Sequence, residues 1–396
     1  MVALFDQRKA EGRSTGIRCP WSLCSMDWQR LQDGEFMAVG GTGKLPWWSW
    51  TWPLLACVLL GLQLMVPANP VVAGLEAFAL IATVFAAVYH AEVVAHRVGE
   101  PFGSLVLALA VTVIEVALIV SVMITGGDET GSLARDTVFA AVMIVCNGIV
   151  GLCLLAGGVR HREQGFIVQG ANAALSVLIA LTALTMVFPN VTVSSAGPTF
   201  NAAQLIFAAV VSLVLYGSFL FIQTIRHRDY FLLGGTDEAH AALPSTKVAL
   251  LSAGLLPVSL IVVVALAKAL TPPLERVVIQ AGLPKSVVGI VIAGLVLLPE
   301  GLAAFRAARA NRLQTSMNLA LGSVLASIGL TIPAVATVSI LLNRRLTLGL
   351  NPKEVALLIV TLILSQSTLG TGRTTVLQGV VHLVLLATFL FLAMVP

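Results

Sequence analysis

Charge is what this chain has least of. Of its 396 residues, 11% are Asp, Glu, Lys or Arg, where soluble domains carry about 25%. Twenty-three basic and 19 acidic side chains cannot coat a soluble fold of this size. Cysteine is scarce as well, with five residues. Cys57, Cys146 and Cys153 lie in apolar runs, where Cys packs as a small hydrophobe. Cys19 and Cys24 have no His or Cys nearby at a zinc spacing, so a disulfide framework and a zinc centre are both excluded. A net charge of +4, scattered along the chain, excludes a nucleic-acid partner. No Gly loop with Lys, no Ser–His–Asp arrangement and no HExxH motif is present. Residues 1–46 lack the apolar core of a secretory signal and the amphipathic Arg pattern of a transit peptide. They read as a polar, disordered cytoplasmic tail, or as sequence ahead of a translation start at Met26 or Met37.

What is present is apolar. Hydrophobic residues make up 58% of the chain, and the mean hydropathy is +0.96. At about 20 residues per crossing, the sequence predicts eleven spans: 50–67, 70–92, 102–125, 136–158, 166–188, 201–225, 247–270, 286–308, 317–342, 354–370 and 374–395. Lipid admits only helices or closed barrels, and these runs are far longer than strands. The expected fold is an all-α polytopic membrane protein in the lipid bilayer. The Trp47, Trp48, Trp50 and Trp52 cluster fits an interfacial belt at the first span.

Alternate loops carry ten basic residues on one side, Arg97, Arg226, Arg306, Arg309 and Arg312 among them, and seven on the other. With Arg30 and Lys44 ahead of the first span, the positive-inside rule places the N-terminus in the cytoplasm and the C-terminus outside.

Two acids are deep. Glu115 sits near the middle of the third span and Glu300 deep in the eighth. An acid at the bilayer centre costs about 2.5–3.5 kcal/mol, so two of them argue for ion or proton handling over a structural role. Spans five apart run in opposite directions, which predicts two inverted five-helix repeats, 69–228 and 247–396. The helix at 47–68 is then extra, and 229–246 is a connecting loop.

Pro299 has no N–H and leaves the carbonyl of Leu295 without its helical partner. Freed carbonyls beside a carboxylate are hard oxygen ligands, suited to Ca²⁺, Na⁺ or K⁺. Asn147, Asn318, Ser323 and Ser327 add small polar groups that serve equally as interhelical glue. Glu76, about two turns inside the second span, can face a polar cavity or lean to the interface. His382 in the last span is open between a proton relay and a packing group. Glu92 reads as part of a short polar connection with His90, His96 and Arg97.

Two stretches are familiar at these residues: HAEVVAHRVGEPFGSLVLALAVTVIEVALIVSVMITGG and LPEGLAAFRAARANRLQTSMNLALGSVLASIGLTIPAV. They resemble the two α-repeats of the cation/Ca²⁺ exchanger superfamily, and within it the ChaA-type calcium(sodium)/proton antiporters. LYGSFLFIQTIRH and TGRTTVLQGVVHLVLL match the same group. The resemblance runs from about residue 50 to the C-terminus. It implies a plan of one extra helix and two inverted five-helix halves, with Glu115 and Glu300 binding the cation and exchanging it for protons. Thr112 and Ile114 stand where calcium exchangers often have Gly-Asn, and 229–246 holds only three acids. Na⁺ and K⁺ therefore stay beside Ca²⁺ as cargo, with no cofactor. The expected activity is secondary cation/proton antiport at a bacterial inner membrane. A passive channel needs a continuous polar path, and the spans offer isolated polar residues. An intramembrane acid/base enzyme needs a nucleophile or metal constellation, which the sequence lacks.

Overall fold

The computed structural model describes residues 45–65, 70–99, 102–125, 131–231, 244–284 and 286–395. The expected tail and most of the connecting loop at 229–246 lie outside the described residues. Eleven helical segments follow one another: α1 (Trp47–Met65), α2 (Pro70–Val98), α3 (Phe102–Thr125), α4 (Leu133–His161), α5 (Val168–Asn190), α6 (Ala202–Arg226), α7 (Thr246–Gln280), α8 (Ser286–Val296 and Leu298–Arg309), α9 (Leu313–Leu341), α10 (Pro352–Leu369) and α11 (Val376–Met394). Eleven spans were expected; among the described residues, eight of these helices are long and apolar enough to cross a membrane, or nine if the two parts of α8, bent by 53°, form one span. The fold is all-α and polytopic.

Helix ends follow backbone chemistry more than hydropathy. The second span was expected to stop at residue 92, yet α2 continues to Val98 and takes Glu92, His96 and Arg97 with it. No helix breaker intervenes before Gly99, whose φ of +77° closes the helix where a side chain would be strained. α7 runs ten residues past the expected end and carries Pro272 and Pro273 inside it. Pro273 has no N–H for the carbonyl of Ala269, and Gln63 Nε2 of α1 donates to that oxygen instead at 3.4 Å. A neighbouring helix thus restores the bond that lipid cannot.

α4 and α9 form the centre. The share of the most apolar stretch buried inside the protein is 83% for α4 and 67% for α9, against 17% for α11. Both central helices widen into a π turn, at Ile144–Ile149 and at Ser327–Thr331. Such turns free backbone groups and recur at functional sites. A two-stranded ribbon, β1 (Gln164–Gly165) paired antiparallel with β2 (Arg373–Thr374), ties the α4–α5 and α10–α11 connections together.

α4 and α11 cross at glycines. A Cβ on Gly379 would lie 2.5 Å from the Leu155 nitrogen and 2.9 Å from the Gly151 carbonyl oxygen. The obstacle is backbone, which cannot swing away. Gly379→Ala is therefore expected to force the helices apart and destabilise the protein by about 1–3 kcal/mol. Thermal unfolding of the detergent-solubilised variant measures this; an unchanged midpoint would show that the crossing is not tight.

Candidate functional site

The bend in α8 falls at Leu297 (φ −83°, ψ −4°), one residue before the helix restarts with Pro299 in its first turn. Glu300 follows in that same turn, buried at 8% exposure. Next to it, a Cβ on Gly301 would meet Ile149 Cδ1 of α4 at 3.1 Å, so the glycine lets the broken helix lie against the π turn. Glu115, on unbroken α3, is buried at 3% exposure. The hydroxyls of Ser327 and Thr331, at either end of the π turn in α9, stand beside it. Glu300 lies within electrostatic reach of Glu115 and of Glu92. All four carboxylate oxygens of Glu115 and Glu300 are buried without a hydrogen-bond partner. Such groups are costly unless something else satisfies them.

A cavity of about 200 Å³ reaches Glu300 between α3, α6 and α9. Thr112, Gln223, Thr315, Asn318, Ser323 and Ser327 supply its polar lining. The lining falls in the half of α6 that ends at Arg226 and the half of α9 that follows Arg312, so the cavity belongs to the Arg-rich end. On the far side of the acids the lining changes. There a second cavity of about 230 Å³ is bounded by Leu80, Val84, Ile114, Leu118, Leu295 and Val296. Its polar member, Thr271, donates its hydroxyl proton to the Ala267 carbonyl at 2.9 Å. The acids thus sit between one polar approach and one dry one.

Thr112, Asn318, Ser323 and Ser327 are brought to one cavity with Glu300 although their spacing along the helix drifts. Leu295 lines the apolar cavity instead. Asn147 and His382 stand apart from the cavity, in a network of their own. His382 Nδ1 donates to Asn147 Oδ1 at 3.3 Å, and Nε2 pairs with the Thr368 hydroxyl at 3.1 Å. Asn147 Nδ2 donates to Thr361 Oγ1 at 2.9 Å. Both ring nitrogens are engaged, as in a packing latch between α4, α10 and α11. Asn318 is likewise tethered, its Nδ2 donating to the Phe231 carbonyl at 2.6 Å and its Oδ1 accepting from Gln314 Nε2 at 3.0 Å. Glu76 on α2 has no exposed surface and lines neither cavity.

Sequence reading passed over Thr331, Gln223 and Thr315, and took Glu92 for part of a loop. Thr331 carried a usable signal, since it follows Ser327 by four residues and so shares its helix face. Glu92 did not: its polar neighbours made a continuing helix look like a loop. Half-buried Glu92 sits within electrostatic reach of both Glu300 and Arg306. Among the described residues no group of three or more His, Cys, Asp or Glu gathers in a metal-holding cluster.

The sequence pattern of the family described as "Sodium/calcium exchanger protein" matches residues 69–225 and 251–395. The chain belongs to that family. It is 51% identical over 362 residues to a putative ionic transporter, y4hA, of Sinorhizobium fredii, covering 90% of this chain and 98% of that protein. It is 37% identical over 346 residues to the sodium-potassium/proton antiporter ChaA of Escherichia coli, covering 85% and 93%. The solved structure of the H⁺/Ca²⁺ exchanger CAX shares the fold, with a TM-score of 0.65 at 17% identity over 86% of this chain and 87% of that one. The family relatives are transporters, and the chain is a multi-pass membrane antiporter, not an enzyme.

Proposed function

We propose that this chain exchanges a cytoplasmic cation for external protons by alternating access, with cation and protons competing for Glu115 and Glu300. One observation carries the reading: two buried carboxylates with nothing ionic to compensate them, of which Glu300 lines a polar cavity and Glu115 stands beside the Ser327 and Thr331 hydroxyls, with an apolar cavity beyond. A cation that reaches the pair receives two charges and the hydroxyl oxygens of Ser327 and Thr331. Protonation cancels the charges and lets the ion leave. An empty, doubly ionised pair would drag bare charge through the apolar side, a costly transfer, so reorientation requires cargo or protons. That requirement makes exchange obligatory.

Two inverted five-helix halves, 69–228 and 247–396, give such a cycle its geometry. Supporting this, one family pattern matches two successive stretches. The polar cavity then opens to the cytoplasm, because it shares the Arg-rich end. The same charge rule puts the C-terminus outside, in a bacterial inner membrane. As cargo, Ca²⁺ suits a pair of carboxylates, whereas the name of the 37% identical relative points to Na⁺ and K⁺.

The test is transport in proteoliposomes under an imposed pH gradient, with Ca²⁺, Na⁺ and K⁺ supplied separately. An antiporter accumulates its cation against the cation's own gradient and collapses the pH gradient as it does so. Purely downhill movement for all three ions would replace the proposal with a passive channel.

A further inference from the structure

A second buried acid lies outside the site. Glu76 has no exposed surface, and neither carboxylate oxygen has a hydrogen-bond partner. Seven and fourteen residues on, Thr83 and His90 occupy the same face of α2, equally buried. This face packs against α1 and α7. His90 Nε2 donates to the Ser49 carbonyl at 3.1 Å, and its Nδ1 pairs with the Ser252 hydroxyl at 3.2 Å. The Thr83 hydroxyl donates to the Ala79 carbonyl at 2.7 Å, and that of Ser259 on α7 to the Leu255 carbonyl at 2.9 Å. Hydroxyls used in this way keep lone pairs to accept from an acid proton but have no proton to offer a carboxylate.

Nothing ionic compensates Glu76. The charged side chains of α7 are Lys247, Lys268, Glu275 and Arg276, those of α1 number none, and the described part of α3 adds only Glu115. No salt bridge or hydrogen bond joins any of them to Glu76. An unpaired carboxylate in such a seam costs several kcal/mol, far more than the neutral acid. The group therefore holds a proton while the seam is dry. Its neighbours Ala73, Ala77 and Leu80 line the apolar 230 Å³ cavity, so wetting of that cavity brings water to the helix that carries Glu76.

We propose that Glu76 is a second proton-carrying carboxylate of the transport cycle, housed in the α1–α2–α7 seam and separate from the Glu115–Glu300 pair. This rests on the antiport reading above. When the far side opens, the carboxylate takes a proton from hydronium there. When the seam changes again it gives that proton up to water on the cytoplasmic side, at the His90 end of the same face, so each turnover carries one proton more than the cation site alone exchanges.

The experiment compares wild type, Glu76→Gln and Glu76→Asp in proteoliposomes, reading the cation gradient that a fixed pH gradient sustains. Gln cannot carry a proton, so the proton-to-cation ratio should fall by one, and the gradient sustained by a one-unit pH difference should fall about tenfold. Asp keeps a titratable carboxyl and should retain the wild-type ratio. A Glu76→Gln protein that exchanges at the wild-type ratio overturns the proposal. Should Gln prevent folding, infrared difference spectra of wild type and Glu76→Asp between acid and alkaline samples decide. The protonated-carboxyl band must then change between the two proteins, and an identical band overturns the proposal. Absence of exchange in wild-type vesicles would instead remove the antiport reading itself.

Discussion

Glu115→Gln and Glu300→Gln are each expected to abolish exchange while the protein still folds and inserts. Glutamine keeps the length and one carbonyl oxygen but can neither hold a negative charge nor release a proton. Since one pair of groups serves cation and protons in turn, losing either acid removes both half-reactions together. The fall in transport should be about a hundredfold or more, which corresponds to about 2.8 kcal/mol of lost cation binding. Folding should survive, because glutamine keeps the side chain's length and an oxygen that the Ser327 and Thr331 hydroxyls beside Glu115 can still meet. Neutralising an uncompensated buried acid relieves a desolvation cost instead. Vesicle transport, read beside the elution profile and thermal midpoint of each purified variant, separates the two effects. A folded Glu300→Gln protein that still exchanges cation for protons near the wild-type rate would leave Glu300 a structural residue.

The second large effect concerns pH. If protons and cation compete for the same carboxylates, the unprotonated pair is the binding form, and raising the pH must strengthen cation binding. Each proton displaced contributes about tenfold in apparent affinity per pH unit on the acid side of its titration, and nothing on the alkaline side. With two carboxylates the slope should approach about a hundredfold per unit at its steepest and then flatten. Cation titrations of the purified protein at a series of pH values measure it, and so does the proton release that accompanies binding in weak buffer. Removing one acid should halve the slope in whatever binding survives. A flat profile in the wild type, with no proton released, would uncouple the two ligands and exclude direct competition.

Composition alone excluded a soluble fold here. Runs of apolar residues long enough to cross lipid gave the helix count and order, since lipid leaves a backbone few alternatives. The placement of Glu115 and Glu300 in those runs was visible as an anomaly, because a charge in the bilayer is expensive enough to demand a reason. Helix ends were less legible. α2 ran on through Glu92 to Gly99, and α7 through Pro272 and Pro273, because a backbone break needs a residue that cannot be accommodated, and Gln63 accommodated this one.

The tertiary structure alone decided which polar residues belong together. Asn147 and Asn318 look alike in sequence, each an asparagine in an apolar run. Packing commits Asn147 to His382 and Thr361 in a closed latch and brings Asn318 to the wall of the polar cavity. The rotation of a helix about its own axis sets that choice, and helix rotation follows from close approaches such as Gly379 on Leu155 and Gly301 on Ile149. Glu76 makes the same point from the other direction. Its position about two turns into a span left it open between a polar cavity and the interface, and only the packing of α1 and α7 against α2 shut it away from water. A sequence states which groups a helix carries. Which of them meet is settled by contacts between residues hundreds of positions apart.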